Sequence, residues 1–294
     1  MRGLFGTQTR SDGIAPRIYC GCFRVCSYLM STATEIYEFN TANWALDNSF
    51  MEQLTDPGES YTAVCPFYLV DHPEGTAVID TGLSHDMLDD PASYGQHGAE
   101  FMEAFRPAIE YGPEMHPRAQ LEEVGYAPEE VDYLVLTHLH SDHAGHIDTF
   151  PDAEIIVQEQ ELRYAHWPVP VQEVFYLEGD FDMLRSGTYD VTPVEGEYDV
   201  FGDGSLVTFP TPGHTPGHQS VQVELPETGT VILGADIAHK ESGYEREHLA
   251  SFNYDLSQSI ESLRELKARA RRTEAEVFVT HDNDHIEAMA DGLR

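Results

Sequence analysis

The sequence predicts an α+β fold in which two β-sheets pack face to face and helices cover their outer surfaces. Short apolar or alternating segments, which are typical of strands, occur in both halves of the chain. Amphipathic segments with helical spacing lie between them. The chain has 294 residues, of which 41% are hydrophobic, and this is enough to build a full core.

Five strands are predicted in the N-terminal half, at residues 35–39, 63–70, 76–79, 131–136 and 154–157. A short helix is predicted directly after them, at 159–164. Within residues 88–120, Phe101, Phe105 and Ile109 recur at helical spacing. This stripe is expected to pack into the core, and a cover over the site or a subunit contact are the alternatives.

The C-terminal half is predicted to hold two or three short strands within 189–210, and further strands at 219–225, 230–233 and 276–279. Asp255 can cap a helix, with Gln258 three residues on. Four apolar side chains of that helix are expected to face inward: Ile260, Leu263, Leu266 and Ala270.

The segment 137–145 has the residue types of a metal site. It follows the buried strand at 131–136, and three imidazoles and a carboxylate lie within six of its residues. Side chains alternate along an extended chain, so two of the histidines can point the same way, and a turn at Gly145 lets the others converge. Neutral imidazole and carboxylate bind zinc and similar divalent ions. The ligand candidates of this segment are His138, His140, Asp142 and His143.

Further ligand candidates lie just beyond the ends of other predicted strands, where a buried run gives way to a loop. His214, Asp236 and His281 have this position, and no cysteine is among them. Asp80 also follows a strand, and its carboxylate can hold a ligand imidazole by the free N–H. Several other histidines, among them His72 and His85, are expected to face solvent.

The pattern His-x-His-x-Asp-His after an apolar strand resembles the signature of the metallo-β-lactamase superfamily and, within it, of the quorum-quenching N-acyl homoserine lactonases. The resemblance extends from about Thr34 to about His285 and includes 78–82, 155–158 and 211–220. It implies an αββα sandwich with the site at one edge of the sheets. Residues 88–120 would be a helical insertion relative to the smallest lactonases.

The resemblance also implies two divalent metal ions, by default zinc, with iron, manganese or cobalt as alternatives. Three histidines would hold one ion, two histidines and an aspartate the other, and a second aspartate would bridge both: His138, His140 and His214; Asp142, His143 and His281; Asp236. His218 and Asp80 would lie behind these ligands and orient them.

The implied activity is the opening of the ester ring of a lactone, foremost an N-acyl homoserine lactone. A hydroxide shared by the two ions would attack the carbonyl, and Asp142 would deliver a proton to the departing alkoxide. Trp44, Phe50 and Met51 lie in the region that forms the acyl pocket in relatives. Many relatives have a tyrosine donor three residues after the bridging aspartate, whereas this chain has His239. An imidazole can also donate to the substrate carbonyl, and a plain surface residue is the alternative.

Three other interpretations remain open. A thioester hydrolase resembling hydroxyacylglutathione hydrolase has the same ligand set but needs a basic patch for glutathione, and the arginines within 264–272 lie mostly at a helix end. A diiron redox relative replaces the second histidine by glutamate, whereas that residue is His140 here. A catalytically silent ligand-binding module on the same fold is disfavoured, because all seven ligands are present.

The chain is strongly acidic, with 52 Asp and Glu against 16 Lys and Arg and a formal net charge of −36. This charge repels polyanions and argues against nucleic acid or an anionic membrane as partner, which leaves a small-molecule substrate and an open question of a homodimer. A Lys-poor acidic surface resembles adaptation to a high-salt cytoplasm, with an ordinary acidic protein as the alternative. There is no apolar run of about 18 residues and no secretory signal, so a cytoplasmic location is expected.

Residues 1–29 differ from the rest, with four arginines against a single aspartate. They are expected to be a disordered extension or to result from a start codon assigned too early. Residues 30–294 are expected to form one hydrolase domain. Cys20, Cys22 and Cys26 lie outside the resemblance, and three thiols without a fourth ligand nearby do not favour a zinc site.

Overall fold

The computed structural model of the protein describes residues 32–289 and 292–294. The predictions for residues 1–29, including the three cysteines there, lie outside these residues. Among the described residues the strands are β1 (Glu35–Asp47), β2 (Ser60–His72), β3 (Gly75–Ile79), β4 (Ile109–Glu110), β5 (Tyr133–Val135), β6 (Glu154–Gln158), β7 (Asp190–Val194), β8 (Tyr198–Asp199), β9 (Leu206–Pro210), β10 (Gln219–Leu225), β11 (Gly229–Leu233) and β12 (Glu276–Phe278). The α-helices are α1 (Asn48–Met51), α2 (His85–Asp89), α3 (Gly95–Phe105), α4 (Pro117–Glu123), α5 (Ser141–Ala144), α6 (Glu159–Ala165), α7 (Glu178–Phe181), α8 (Glu241–Arg246), α9 (Leu256–Thr273) and α10 (Asn283–Met289).

In the described part of the chain the strands form two mixed sheets. The first has the order β4-β1-β2-β3-β5-β6-β7, and the second has the order β12-β11-β10-β9-β8. Strands β3, β5, β6 and β7 are parallel neighbours, and so are β11 and β12. Because parallel strands end at the same edge, the loops that follow them lie side by side, and these loops carry Asp80, the segment 137–145, Asp236 and His281.

The two sheets pack face to face, as predicted. Alternate side chains of each strand point to opposite faces, so each sheet directs one set of apolar side chains to the shared core. Val135 of β5 and Val221 of β10 belong to the core between the sheets, whereas Leu134 packs outward against the helical layer of the first sheet. On the second sheet, Ile232 of β11 packs outward against Leu263 of α9. The result is the αββα sandwich.

Helix α9 begins where the sequence predicts it. The Asp255 carboxylate accepts hydrogen bonds from the backbone N–H groups of Ser257 and Gln258, which would otherwise lack partners. The predicted inward stripe is confirmed at Leu263, Leu266 and Ala270, which are buried, while Ile260 is partly buried. No helix in the residues described here is long and apolar enough to cross a membrane.

The segment 88–120 is helical but interrupted. Phe101 and Phe105 of α3 pack against Trp44, with ring centroids 5.3 and 5.0 Å away. The prediction that Ile109 continues their helical stripe is wrong, because α3 ends just before a proline and Ile109 pairs with Trp44 as a strand residue.

Two histidines that were expected to face solvent are buried. His72 stacks on Phe201 with 4.0 Å between ring centroids, and its Nε2 lies 3.2 Å from an Asp203 oxygen. His85 places Nε2 2.8 Å from the carbonyl oxygen of Thr41. Both expectations were wrong because a polar imidazole can be buried when its ring nitrogens find partners in the fold, and the sequence does not show those partners.

Candidate metal centre

All seven sequence-predicted ligands meet at one edge of the two sheets. Their loops follow the strand ends of β5, β9, β11 and β12. The ligand atoms of two triads each lie within 4.8 Å of one another: His138, His140 and His214, and Asp142, His143 and His281.

The Asp236 carboxylate lies between these two triads. Its Oδ1 is 3.3 Å from Nε2 of His143 and 3.4 Å from Nε2 of His281. Its Oδ2 is 3.3 Å from Nε2 of His214. One oxygen therefore faces each triad, which is the arrangement needed for a bridging carboxylate.

The residues present fit a pair of divalent cations. The Nε2 atoms of His138 and His143 and the Oδ1 atom of Asp236 are buried and have no hydrogen-bond partner, and His140 directs Nδ1 to the site, 3.0 Å from Nε2 of His214. Leaving a buried polar group unpaired costs about 1–3 kcal/mol, and cations among these atoms would satisfy the three that lack a partner. Nitrogen and oxygen donors of this kind suit zinc and its neighbours in the transition series.

Burial also favours the neutral state that the three histidines of the first triad need as ligands. It lowers the pKa of His138 and of His140 well below the ordinary histidine value, and the neighbouring imidazoles act in the same direction. Burial lowers the pKa of His214 well below that value too. These imidazoles are neutral at physiological pH and therefore have a lone pair for a cation.

Asp80 holds the loop 137–145 in place. Its carboxylate accepts hydrogen bonds from the backbone N–H and the hydroxyl of Thr137, both at 2.7 Å, and lies 2.8 Å from Nδ1 of His143. Asp80 has φ of +57°, a left-handed conformation that is strained for a residue other than glycine. This strain at a buried carboxylate is typical of a functional site.

Other groups behind the ligands hold their outer nitrogens or their backbone. Asn253 Oδ1 lies 3.0 Å from Nδ1 of His214, and the carbonyl oxygen of Val64 lies 2.6 Å from Nδ1 of His281. His218 contacts the site differently, because its Nε2 accepts the backbone N–H of Asp236 at 3.1 Å. Nothing in the sequence pattern singled out Asn253 or the Val64 carbonyl.

Glu161 of α6 is a further group that the sequence did not single out. It is fully buried, and burial raises its pKa. Its oxygens accept four hydrogen bonds, from the backbone N–H groups of Leu139 and Gly217 and the hydroxyls of Tyr176 and Thr215. It therefore ties the first ligand loop to the loop of His214. The sequence placed it only as one polar residue in a short helix.

Gly145 has a different role from the one predicted. Its φ of −69° is accessible to any residue, so the turn does not require glycine for its backbone. A Cβ there would instead collide with the backbone nitrogen of Ser84. The glycine is needed for the close approach of the two loops.

A narrow cleft opens beside the ligands. It is lined by the sequence-predicted Trp44, Phe50 and Met51, and by four residues that the sequence did not indicate: Leu46, Ala63, Phe175 and Phe252. Phe50 and Phe252 stack with 4.5 Å between ring centroids. The wall is thus apolar and aromatic, while Asp142 and His239 contribute polar atoms at its base.

His239 is not a surface residue, which contradicts the alternative considered for it. Only 3% of it is exposed, and its ring stacks on His281 with centroids 5.3 Å apart and planes 11° apart. Its Nε2 lies 3.2 Å from Oδ2 of Asp236. His239 therefore belongs to the site itself.

Comparisons with known proteins agree with this geometry. Residues 62–281 match the family model of the metallo-beta-lactamase superfamily. An N-acyl homoserine lactonase of Azorhizobium caulinodans, AttM, is 35% identical over 230 residues, covering 77% of this chain and 85% of the relative. An N-acyl homoserine lactonase of a Bacillus species is 30% identical over 257 residues, covering 85% and 94%.

Solved structures give the same result. An N-acyl homoserine lactone hydrolase with the product N-hexanoyl-L-homoserine at its catalytic metal centre superposes with a TM-score of 0.74 at 25% identity, covering 87% of this chain and 96% of that one. The dizinc quorum-quenching lactonase AidC has the same fold, with a TM-score of 0.63 at 15% identity and coverage of 86% and 92%. The chain belongs to the metallo-beta-lactamase superfamily and, within it, to the N-acyl homoserine lactonase family.

Proposed function

We propose that this protein is a metal-dependent hydrolase that opens the ester ring of N-acyl homoserine lactones. The observation that carries the proposal is the set of buried, unpaired ligand atoms at the base of an apolar cleft. A lactone with an acyl tail matches this distribution of polar and apolar groups. Its polar ring would lie at the metal ligands, and its apolar tail would contact the aromatic side chains of the cleft. The relatives named for this activity support the same assignment.

The seven residues that would hold two ions are His138, His140, Asp142, His143, His214, Asp236 and His281. Bound divalent ions of this kind, which we take to be zinc, supply an activated water at neutral pH and polarise a carbonyl. The chain contributes the geometry. Asp80, Asn253 and the Val64 carbonyl fix the outer nitrogens of three imidazoles, so that the Nε2 atom of each faces the Asp236 carboxylate.

Asp142 is placed to move a proton. Its Oδ2 lies 3.6 Å from Nε2 of His281 and 4.0 Å from Nε2 of His143, so it belongs to the second triad of ligands. Its side chain is 13% exposed, more than that of Asp236, and it lines the cleft. A carboxylate in this position can take up a proton at Oδ2 and pass it to the alkoxide that leaves when the ring opens.

The cleft would bind the acyl chain of the substrate. Trp44, Phe50 and Met51, together with Phe175 and Phe252, would surround the acyl chain. His239 lies at the polar end, where an imidazole N–H can donate to a substrate carbonyl or a ring nitrogen can bind an ion.

The thioester alternative has little support in the structure. Glutathione carboxylates would need cationic partners, but none of the residues lining the cleft is Lys or Arg. Arg264 and Arg269 of α9 form ion pairs with Glu247 and Glu197 instead. The lactone is therefore the better candidate.

A substrate panel tests the proposal. Metal-loaded protein in high salt is offered N-acyl homoserine lactones, simple lactones and acyl thioesters, and proton release or thiol release is followed. We expect turnover of the acyl homoserine lactones, and its loss in protein stripped with a chelator. Turnover of thioesters alone would contradict the proposal.

A further inference from the structure

We propose that His239 is itself a metal ligand in this protein, bound through Nε2 on the side of the site formed by His214 and Asp236. The proposal rests on the proposed function, because it requires metal ions at the centre. The ligand set implied by the family resemblance contains five histidines and does not include this one. His239 would be the sixth.

The spacing of donor atoms carries the proposal. Nε2 of His239 lies 3.2 Å from Oδ2 of Asp236, close to the 3.3 Å between the same oxygen and Nε2 of His214. The ligand atoms of these three residues all lie within 4.8 Å of one another. With metal–ligand bonds of about 2.0–2.2 Å, two atoms bound to one ion are separated by about 3 to 3.5 Å. His239 thus has the same relation to Asp236 as the predicted ligand His214.

A charge-assisted hydrogen bond explains this spacing less well. Bonds between an N–H group and a carboxylate usually measure about 2.7–2.9 Å, and His143 comes as close as 2.8 Å to its holding carboxylate, Asp80. The distance from Nε2 of His239 to Oδ2 of Asp236 is 3.2 Å. It resembles the longer distances of 3.3 and 3.4 Å between Asp236 and the Nε2 atoms of the predicted ligands.

The Nδ1 atom of His239 has no polar partner that would compensate for the burial of this imidazole. Nδ1 is buried and has no hydrogen-bond partner, and only 3% of the residue is exposed. Nε2 is therefore the atom through which the imidazole finds a polar partner. A cation shared with Asp236 would provide one.

Packing holds the ring in this orientation. One face stacks on His281 at 5.3 Å, and Phe252 and His214 contact it at 5.4 and 5.3 Å between centroids. These rings restrict rotation about the side-chain bonds, so Nε2 stays directed at Asp236. Two of the predicted ligands, His214 and His281, are held by a hydrogen-bonded Nδ1, whereas His239 is positioned by aromatic contacts.

The proposal changes the role of His239 in the reaction. A ring nitrogen bound to an ion has no proton, so it cannot donate from Nε2 to a substrate carbonyl. The substitution of the family's tyrosine would then alter metal coordination rather than replace one donor by another.

Three variants separate these roles. His239→Phe keeps an aromatic ring in the stack but removes both nitrogens, and His239→Tyr restores the phenol found in many relatives. His248→Phe is the matched control, because His248 is exposed and lies outside the site. Thermal unfolding of the metal-free proteins identifies any variant that fails to fold, in which case His239→Gln, with a smaller polar side chain, is used.

The measurement is proton NMR of the protein loaded with cobalt(II). A paramagnetic ion shifts the exchangeable N–H proton of each bound imidazole far outside the normal range, so the shifted signals count the histidine ligands. We expect six such signals in the wild-type protein, from the histidines of the four ligand groups. We expect one fewer in His239→Phe and His239→Tyr, and no change in His248→Phe.

Chelator competition gives a second readout. Loss of a residue behind a ligand already weakens metal binding by about 10–100-fold, so loss of a ligand should weaken it by at least about tenfold in both His239 variants. Five signals in wild type and the same five in His239→Phe would overturn the proposal, even if lactone turnover fell and His239→Tyr restored it. That last pattern would assign His239 as a substrate donor. Wild-type protein that retains no stoichiometric metal would overturn the proposed function as well.

Discussion

The Asp80 carboxylate lies 2.8 Å from Nδ1 of His143 and thereby joins the end of β3 to the ligand loop that follows β5. The two strands are parallel neighbours, paired from Ala77 with Tyr133 to Ile79 with Val135. Asp80 also holds the Thr137 backbone at 2.7 Å. The orientation of one imidazole therefore depends on the register of two strands.

Replacing Asp80 by asparagine should weaken metal binding without unfolding the protein. Asparagine tolerates the positive φ of this position. An amide has only one accepting oxygen, so it cannot accept hydrogen bonds from both Thr137 and the His143 N–H, as the two carboxylate oxygens do. We expect about 10–100-fold weaker binding of zinc, measured by competition with a chromogenic chelator. Asp152→Asn, an exposed change, is the control, and equal affinities in both variants would contradict this role.

Asparagine at Asp142 should reduce turnover strongly, because an amide cannot carry a proton from the nucleophile to the leaving alkoxide. General acid–base catalysis contributes about 10²–10⁴-fold, and we expect a fall in kcat of that size. The assay uses protein whose metal content has been measured, so that lost metal and lost proton transfer are separated. A fully loaded Asp142→Asn enzyme with unchanged kcat would rule out the proton-transfer role.

The Phe50 ring should limit the length of the acyl chain. It stacks on Phe252 at 4.5 Å and narrows the cleft. Phe50→Ala should raise kcat/KM for long-chain relative to short-chain substrates by about tenfold, which corresponds to about two more buried methylenes. Trp167→Ala, at a ring that is 88% exposed, should leave the ratio unchanged. A ratio that stays constant in Phe50→Ala would place the acyl chain elsewhere.

Glu38 should make stability depend on pH. Burial raises the pKa of this carboxyl to about 8, although Tyr68 donates a hydrogen bond to it at 3.0 Å. Because the pKa of Glu38 in the folded protein lies above the ordinary glutamate value of 4.5, the protonated form stabilises the fold. That contribution is complete below about pH 4.5 and is lost as the pH rises to about 8.

Glu38→Gln removes this ionisation and keeps the shape of the side chain. Between pH 5 and 8 the free energy of unfolding of the wild type should fall relative to the variant, by at most about 1.4 kcal/mol per pH unit. Urea unfolding of both proteins across this range measures the difference. Parallel pH curves for the two proteins would show that Glu38 ionises normally.

Salt should stabilise the protein. The formal net charge is −36, so repulsion between surface carboxylates opposes the compact state. Salt screens this repulsion, because the Debye length falls from about 10 Å at 0.1 M salt to about 3 Å at 1 M. We expect the midpoint of thermal unfolding to rise with KCl in metal-loaded and in metal-free protein. If it rose only in the loaded form, metal retention rather than surface charge would be the cause.

Residues 137–145 show what local sequence can predict. Their ligand types, and the apolar strand before them, follow from composition and spacing over a few residues. The capping of α9 by Asp255 is equally local, since the carboxylate meets N–H groups two and three residues away. Such features are set by the backbone geometry of a single element, which a sequence pattern reports directly.

The sequence by itself determined the two-sheet architecture, the seven ligand candidates and the acidic surface. Only the tertiary structure decided which groups stand behind the ligands, because Glu161, Asn253 and the Val64 carbonyl act across 22, 39 and 217 residues of sequence. It also decided that the buried His239 ring faces Asp236 and that Phe252 lines the cleft. Contacts of this kind depend on how the sheets and helices pack against one another. The periodicity of residues along the chain does not determine which distant residues meet in space.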